Sequence, residues 1–358
     1  MVIKRRRPKP LLIILLIVLA VILFTMAGIW IYLSGPTNKN SDADIEVVIP
    51  TGTSTKEIAG ILKEKDLIKN ELFFQVYLKL NKVDSLKAST YLFKKNMNLE
   101  EITTMLAKGS TYNPDIVKIT FKEGERFTDF CREIANNTNH TYEDIVLKVN
   151  DHTYLMTLIN KYWFLSDAIL QEGIYYPLEG YLGPNTYHFD NKDVKIESII
   201  ETMLDETSKN LETYKEKIQS DVHYYITMAS MVELEGTNTE NRKMITGIFE
   251  NRLNQGMNLG SDVTTYYALQ HPMNSDLTTQ QFATINPYNT RSTAMMGKMP
   301  IGPICNPSTS SLEAAINPTT STYLYFVADK NGQIYYTSTL AEHNAKVTEI
   351  KEKGDWIW

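Results

Sequence analysis

The stretch "ITMASMVELEGTN" at residues 226–238 decides how this chain is understood, because it carries two carboxylates among apolar side chains. Its pattern predicts the last turns of a buried helix that ends at Gly236. An ionised carboxylate in such surroundings costs several kcal/mol unless it is paired, so burial is expected to raise its pKa. Glu233 and Glu235 are about 200° apart around a helix axis and cannot enter the same pocket. The stretch therefore predicts one acid with a special role, and not the carboxylate pair of an ordinary glycosidase.

Glu233 is the first candidate for that role. One turn earlier, on the same helix face, lie Ala229 and Ser230, whose small side chains leave room for a ligand beside the carboxyl group. A carboxylic acid with a raised pKa can donate a proton to a leaving oxygen and later remove one. A structural glutamate in a buried hydrogen-bond network is the alternative. Glu235 is expected to turn toward the backbone or toward a cation at the end of the helix.

Far upstream, residues 11–33 form an apolar segment without a charged side chain. As a helix this segment is about 34 Å long, which is enough to cross the hydrocarbon of a membrane. A cleaved signal peptide, the alternative, would have a shorter apolar region and a small-residue cleavage site. Lys and Arg are concentrated in residues 1–10, so the positive-inside rule predicts a cytoplasmic tail there. We therefore expect a single-pass protein of the cell membrane, with most of the chain extracellular or periplasmic.

The composition predicts an acidic soluble body behind this anchor. The formal net charge of the 358-residue chain is −6 although its N-terminal tail is basic, so nothing favours nucleic acid as a partner. The two cysteines, Cys131 and Cys305, exclude a disulfide scaffold but allow one bridge outside the cell. The six histidines are scattered and no H-E-x-x-H run occurs, so we expect no metal site and no cofactor. The S-x-x-K and G-x-S-x-G motifs of acyl-enzyme chemistry are absent as well.

Hydrophobic periodicity divides the body into three parts and indicates the α+β class. Residues 34–44 are polar and rich in turn formers, as is typical of a juxtamembrane linker. Residues 45–112 have the order strand, helix, helix, strand, which resembles a LysM-like module that grips aminosugar chains. Residues 113–191 predict a second small α+β unit that begins with a similar strand, turn and helix. Residues 192–358 predict a C-terminal α+β domain that carries Glu233.

An ordered series of motifs in the second half of the chain resembles one enzyme family. The motifs are "LEGYLGPNTY" at 178–187, "ASMVELEG" at 229–236, "FENRLNQGMNLGSDVTTYY" at 249–267, "NPYNTR" at 286–291, "MPIGPICNPSTSSLEAAINP" at 299–318, "YLYFVADKNG" at 323–332 and "TLAEHN" at 339–344. Together with the anchor and the LysM-like unit, they are similar to the MltG (YceG-like) endolytic murein transglycosylases over nearly the whole chain. The resemblance implies that residues 192–358 are a catalytic domain of the YceG-like type.

The resemblance also implies a reaction that suits a single carboxylate. Members of this family cleave the MurNAc-GlcNAc β-1,4 bond inside nascent peptidoglycan strands and leave 1,6-anhydroMurNAc ends. The C6 hydroxyl of the sugar attacks the anomeric carbon, so effective molarity replaces a second carboxylate or an activated water. By its match to the family motif, Glu233 is expected to act as general acid and then as base, with Glu235 as a companion acid in substrate binding. Charge stabilisation and substrate positioning are assigned to Asp262, Tyr266, Tyr288, Asn289, Thr290 and Asn306.

Simpler structural roles remain open for several of these residues. Asp262 could cap a helix that begins at Val263. Tyr288 and Asn289 follow a proline and could shape a turn, and Asn306 precedes a proline and has the same alternative.

Some positions depart from the family pattern. Ser89, Val263 and Ile301 replace a glycine and two prolines, which is expected to alter loop stiffness. A histidine often found in the hairpin after "YLYFVA" has no counterpart, because Gln333 or Ile334 takes its place, and this puts activity or its pH dependence in question. The alternatives to a transglycosylase are a catalytically impaired peptidoglycan-binding scaffold and a hydrolytic muramidase. Peptidoglycan strands and proteins of cell-wall synthesis or division are the partners that the resemblance implies.

Overall fold

The computed structural model describes residues 10–83, 85–110 and 112–356, with side chains from residue 13 onward. The chain divides into two compact units, Met1–Pro114 and Asp115–Trp358. Most of the basic tail predicted at residues 1–10 lies outside the described residues.

The first unit begins with helix α1, Pro10–Ser34. Its side chains are apolar and exposed, and Ile13–Ser34 is the one helix of the described residues that is long and apolar enough to cross a membrane. This helix fits a single-pass membrane anchor, because a helix needs about 20 predominantly apolar residues to span a bilayer.

A small α+β module follows the apolar helix. Its two strands pair antiparallel, from Asp44 opposite Lys94 to Ile49 opposite Ser89. Ser54 caps the first helix of the module and Asn70 caps the second, each by accepting a backbone N–H at the third helical position. The elements are β1 (Asp44–Ile49), α2 (Thr55–Glu64), α3 (Glu71–Leu80), β2 (Ser89–Lys94) and α4 (Leu99–Lys108).

The predicted linker at residues 34–44 is tied to this module by hydrogen bonds. The Thr37 hydroxyl donates to the carbonyl of Asp66 at 2.6 Å. The backbone N–H of Asn38 donates to the carbonyl of Lys95 at 3.0 Å. The backbone carbonyl of Ser41 accepts from a backbone N–H in the loop between β2 and α4. These hydrogen bonds attach the segment to the module that follows it.

The second unit is α+β, with two separate antiparallel strand pairs among many helices. Strand β3 pairs with β4, with Val117 opposite Phe189, and β5 pairs with β6, with Tyr325 opposite Thr337. The elements are β3 (Val117–Thr120), α5 (Phe127–Asn137), α6 (Tyr142–Val149), α7 (His152–Lys161), β4 (Thr186–Phe189), α8 (Ile196–Leu211), α9 (Lys215–Ile218), α10 (Val222–Glu235), α11 (Thr239–Asn254), α12 (Asp262–Ala268), α13 (Thr279–Phe282), α14 (Thr309–Ile316), β5 (Tyr325–Ala328), β6 (Ile334–Thr337) and α15 (Leu340–Glu352).

One continuous core joins the regions on either side of residue 191, where the sequence suggested a domain boundary. Glu179 is part of this core and is only 1% exposed. Its carboxylate accepts hydrogen bonds from the backbone N–H of Phe127 at 2.8 Å and from the Tyr267 hydroxyl at 3.0 Å. Burial raises the pKa of Glu179 to about 8, although these two donors oppose the shift. The second small unit and the C-terminal domain therefore share one interior.

Both cysteines are buried free thiols, so the bridge that the sequence left open does not form. Cys131 lies on α5, and Cys305 lies in the loop before α14, where its thiol donates to the carbonyl of Ser230 at 3.3 Å. Burial raises the pKa of both thiols, which makes them poor nucleophiles in the folded chain.

Candidate active site

Helix α10 brings the two carboxylates of the opening stretch to the end of a buried element. Asp221 caps its N-terminus by accepting from the backbone N–H of Tyr224 at 3.1 Å. The helix ends at Gly236, where a Cβ atom would lie only 2.6 Å from the side chain of Arg242. Only a glycine lets α11 begin so close to the end of α10. This close approach brings Arg242 of α11 to the carboxylate of Glu233.

Glu233 is engaged by an extensive internal network. Its Oε1 forms an ion pair with Nη2 of Arg242 at 2.8 Å. Its Oε2 accepts from the Ser308 backbone N–H at 2.9 Å, the Ser308 hydroxyl at 2.5 Å and the Ser311 hydroxyl at 2.7 Å. The side chain is 7% exposed, and Ser308 is the N-cap of α14, where a helix dipole favours negative charge. These contacts hold Glu233 in an internal hydrogen-bond network of the kind that the sequence left open as an alternative.

A cleft of about 1070 Å³ opens on the other side of the helix end. Pockets of about 300–1,000 Å³ accommodate drug-sized ligands, so this volume admits a disaccharide. Its wall is built from the end of α10, the loop before α12, the β5–β6 hairpin and α15. Glu235 is in this wall, whereas Glu233 is not among the described residues that line it.

Glu235 has the features that the sequence assigned to Glu233. Its Oε1 accepts one hydrogen bond, from the Ser261 hydroxyl at 2.5 Å. Burial raises the pKa of Glu235 to about 7, and nearby Asp262 raises it further, whereas Ser261 and the positive charges of Arg252 and Arg291 lower it. No cation forms an ion pair with Glu235 among the described residues, although the charges of Arg252 and Arg291 act on it. The cation at this helix end, Arg242, binds Glu233.

Two of the other residues predicted from the sequence line the same cleft. Asp262 begins α12 and forms an ion pair with Arg291 across the cleft mouth. Tyr266 lies one turn further along α12, and its hydroxyl donates to the carbonyl of Ser275 at 2.8 Å. Both side chains therefore belong to the wall of the cleft.

The remaining four predicted residues are buried and do not line the cleft. Thr290 accepts from the Ser261 backbone N–H at 3.0 Å, which fixes the loop that presents Ser261 to Glu235. Asn289 accepts from the Thr265 hydroxyl at 2.7 Å and so holds α12. Tyr288 packs against other tyrosine rings of the interior, and Asn306 accepts from two backbone N–H groups of the loop after Glu179. The side chains of these four residues make their hydrogen bonds inside the fold.

Two cleft residues escaped the sequence analysis. Arg252 of α11 donates from Nε to the carbonyl of Leu324 at 2.5 Å, and its guanidinium lies 5.1 Å from the centre of the Tyr325 ring. The imidazole ring of His343, on α15, stacks on the Tyr325 ring, with the ring centres 5.5 Å apart. The buried Nδ1 of His343 has no hydrogen-bond partner among the described residues, and burial lowers the pKa of His343 with help from the charge of Arg252.

His343 supplies an imidazole beside the hairpin that lacks its own histidine. The sequence placed Gln333 or Ile334 at that position, and Ile334 does line the cleft as an apolar residue. The motif "TLAEHN" was the only signal for His343, and helical periodicity could not tell which way its side chain points. Within residues 10–83, 85–110 and 112–356, no group of three His, Cys, Asp or Glu side chains could hold a metal ion.

Comparisons with known proteins agree on the family of this chain. A family model described as the YceG-like family matches residues 47–349. A Bacillus subtilis protein named endolytic murein transglycosylase is 36% identical over 89% of this chain and 89% of its own length. A Streptococcus pneumoniae protein of the same name is 34% identical over 88% of this chain and 60% of its own length. The crystal structure of a yceG-like protein from Listeria monocytogenes superposes with a TM-score of 0.60 at 35% identity, covering 85% of this chain and 99% of that chain.

Proposed function

The chain belongs to the YceG-like family, and on that premise we propose that it is a membrane-anchored endolytic lytic transglycosylase of nascent peptidoglycan. The observation that carries the proposal is Glu235, a carboxyl with a pKa raised to about 7 in the wall of a large cleft. The apolar helix α1 would hold this cleft near the membrane surface, where new glycan strands are made. Glycan strands are then the substrate, and no cofactor takes part.

In the proposed reaction, protonated Glu235 gives its proton to O4 of GlcNAc as the bond from C1 of MurNAc to that oxygen breaks. The C6 hydroxyl of the same MurNAc forms the new bond to C1, and its proton returns to the Glu235 carboxylate. No water is consumed, and the products are a free GlcNAc 4-hydroxyl and a 1,6-anhydroMurNAc end. A carboxyl that is partly protonated at neutral pH suits both steps.

Glu235 is a better acid for this reaction than Glu233, which the sequence favoured. Glu233 would have to leave an ion pair and three hydrogen bonds before it could reach a substrate. Among the described residues, Glu235 accepts a hydrogen bond only from the Ser261 hydroxyl, and it already borders the cleft. We assign Glu233 to a structural role, with Arg242 as its partner.

Asp262 and Tyr266 are the proposed substrate contacts. The carboxylate of Asp262 can stabilise positive charge that develops on the sugar ring in the transition state, and Tyr266 offers an aromatic face to a sugar. His343 adds an unpaired ring nitrogen that a sugar hydroxyl or an acetamido group could bind. Tyr288, Asn289, Thr290 and Asn306 are proposed to position the loops that carry these contacts.

A hydrolytic muramidase is the second candidate, because Asp262 is a further carboxylate in the same cleft as Glu235. A second carboxylate could activate a water for attack on the anomeric carbon. In this chain Asp262 is engaged by Arg291, which disfavours that role. The chemistry of the product ends distinguishes the two candidates.

Mass spectrometry of digested glycan strands tests the proposal. The detergent-solubilised full chain should convert uncrosslinked glycan strands into shorter strands that end in 1,6-anhydroMurNAc, each one water lighter than a reducing end. Reducing ends would identify a muramidase and contradict the transglycosylase. A folded chain that binds strands without cutting them would identify a scaffold.

The cleavage rate should fall as the pH rises through about 7, because Glu235 must be protonated to donate to the leaving oxygen and its pKa is raised to about 7. The Ser261 hydroxyl stabilises the ionised form, so Ser261→Ala should raise that pKa and move the alkaline limb of the profile to higher pH. The initial rate of anhydro-end formation across pH 5 to 9 measures both effects.

Ser310→Ala is the matched control for this pH profile, because Ser310 contacts Arg242 and lies outside the cleft lining. Its alkaline limb should coincide with that of the wild-type chain. An alkaline limb that stays in place in Ser261→Ala would argue that another group titrates.

A further inference from the structure

Helix α3 carries an exposed apolar stripe that its own module does not cover. Leu72, Val76 and Leu80 follow one another at four-residue spacing and are 73%, 48% and 63% exposed. Residues four apart share one face of a helix, so the three form a continuous line. Exposed apolar lines of this kind mark contact surfaces rather than ordinary solvent-facing helix.

The stripe borders the contact between α3 and the apolar helix α1. The ring of Trp30 lies 5.1 Å from the Phe73 ring and 5.7 Å from the Tyr77 ring, centre to centre. The ammonium group of Lys69 donates to the carbonyl of Tyr32 and lies 4.2 Å from the centre of its ring. The end of α1 therefore sits against α3 within one compact unit.

The position of Trp30 fixes the depth of α3. Trp30 is three residues before Leu33, the last apolar residue of α1, which corresponds to about 5 Å along a helix axis. The hydrocarbon core of a bilayer is about 30 Å thick, so a spanning α1 puts Trp30 at its boundary. Helix α3, which touches Trp30, is then at the level where headgroups meet acyl chains.

The polar residues of α3 lie on the side of the helix opposite its contact with α1. At about 100° per residue, the exposed apolar stripe lies between Phe73 and Tyr77 on one side and Lys79 on the other, and Glu71 and Gln75 lie beyond Lys79. Phe74 and Leu78 face the module interior. Helices that lie in the plane of a membrane interface have this division into an apolar and a polar flank.

We propose that α3 is a membrane-docking helix, with Leu72, Val76 and Leu80 inserted among the lipids that surround α1. The proposal rests on the proposed membrane anchor and is independent of the proposed reaction. Apolar contact drives it, so the acidic net charge of the body does not oppose it. The module is then clamped to the bilayer face and works only in the layer where nascent strands emerge.

Fluorescent labels on single introduced cysteines test this docking in the full chain, reconstituted in phosphatidylcholine vesicles. The native thiols are buried, so an environment-sensitive maleimide reacts at the introduced site. The emission maximum of labels in Leu72→Cys, Val76→Cys and Leu80→Cys should shift to shorter wavelength. Nitroxide groups attached to the lipids should quench the fluorescence of these labels. Labels in Glu71→Cys and Gln75→Cys, on the polar flank of the same helix, should stay in water.

A label in Ile22→Cys, at the middle of α1, reports the anchor itself. A quenched Ile22 label with unquenched stripe labels would overturn the docking while the anchor stands. An unquenched Ile22 label would overturn the anchor and the docking together. Cross-linked dimers of Val76→Cys, in place of lipid contact, would assign the stripe to a second copy and overturn the proposal. Glycan cleavage enters none of these measurements, so an inactive chain would count only against the proposed function.

Discussion

The Glu235→Gln variant is expected to cleave glycan strands about 10²- to 10⁴-fold more slowly than the wild-type chain, because positioned acid–base catalysis contributes a factor of that size. Glutamine keeps the shape of the side chain, and its carbonyl can still accept from the Ser261 hydroxyl. The amide cannot give a proton to the leaving oxygen or receive one from the C6 hydroxyl. The rate of 1,6-anhydro end formation, with the melting temperature as a check of folding, measures the effect.

Glu233→Gln is the matched control, because it makes the same chemical change two residues away. The variant loses the ion pair to Arg242 and is expected to be less stable. The molecules that remain folded should cleave at a rate close to that of the wild-type chain, because Glu233 does not line the cleft. The opposite pattern, with Glu233→Gln folded but inactive and Glu235→Gln active, would restore the assignment that the sequence favoured.

Local sequence reasoning singled out the stretch that carries both carboxylates but could not choose between them. It predicted a buried helix that ends at Gly236, as the structure shows, and it expected the raised pKa at Glu233, whereas burial raises the pKa of Glu235. It then weighed Glu233 by its neighbours on the same helix, Ala229 and Ser230. The contacts that decide the matter come from far along the chain: Arg242 from α11, and Ser308 and Ser311 from the start of α14. Helical periodicity contains no information about these partners.

The family motifs contain both residues that line the cleft and residues that are buried behind it, and the sequence does not separate the two kinds. Asp262 and Tyr266 line the cleft, whereas Asn289 and Thr290 are fully buried behind it. Both kinds of residue occur in the same motifs because a substrate contact is only as well placed as the loop that carries it. His343 shows the converse, since its side chain reaches the hairpin only through the packing of α15 on β5 and β6.

The fold class followed from the sequence, but the connections between its parts did not. Periodicity and caps predicted an α+β chain with an apolar N-terminal helix, and the structure confirms this class. A polar composition at residues 34–44 predicted a juxtamembrane linker, and the structure adds hydrogen bonds of Thr37 and Asn38 that tie this segment to the module. Polar, turn-forming residues do not reveal these hydrogen bonds, because the bonds depend on where the fold places the carbonyls of Asp66 and Lys95.

Replacing Arg242 should cost more stability than any other single change to the Glu233 network. Arg242→Met leaves the carboxylate of Glu233 buried without its cation, and breaking a buried pair in this way costs about 3–5 kcal/mol. The Arg242 side chain is only 13% exposed, and it also donates to Ser308, Ser310 and the carbonyl of Gly236. Because these contacts join α10, α11 and α14, their loss should lower the free energy of unfolding of the whole second unit. Urea unfolding followed by circular dichroism measures this change.

Two further variants separate the buried ion pair from a general loss of packing. Lys161→Met removes the surface partner of Glu201 and should cost at most about 1 kcal/mol, because exposed pairs contribute little. Glu233→Gln combined with Arg242→Met removes both charges and should recover part of the stability lost in Arg242→Met alone, since no buried charge is then left unpaired. If the double variant is instead less stable than Arg242→Met by the full cost of Glu233→Gln, the two residues act independently. The structural role proposed for Glu233 would then fail, and with it the reason for excluding this residue as the acid.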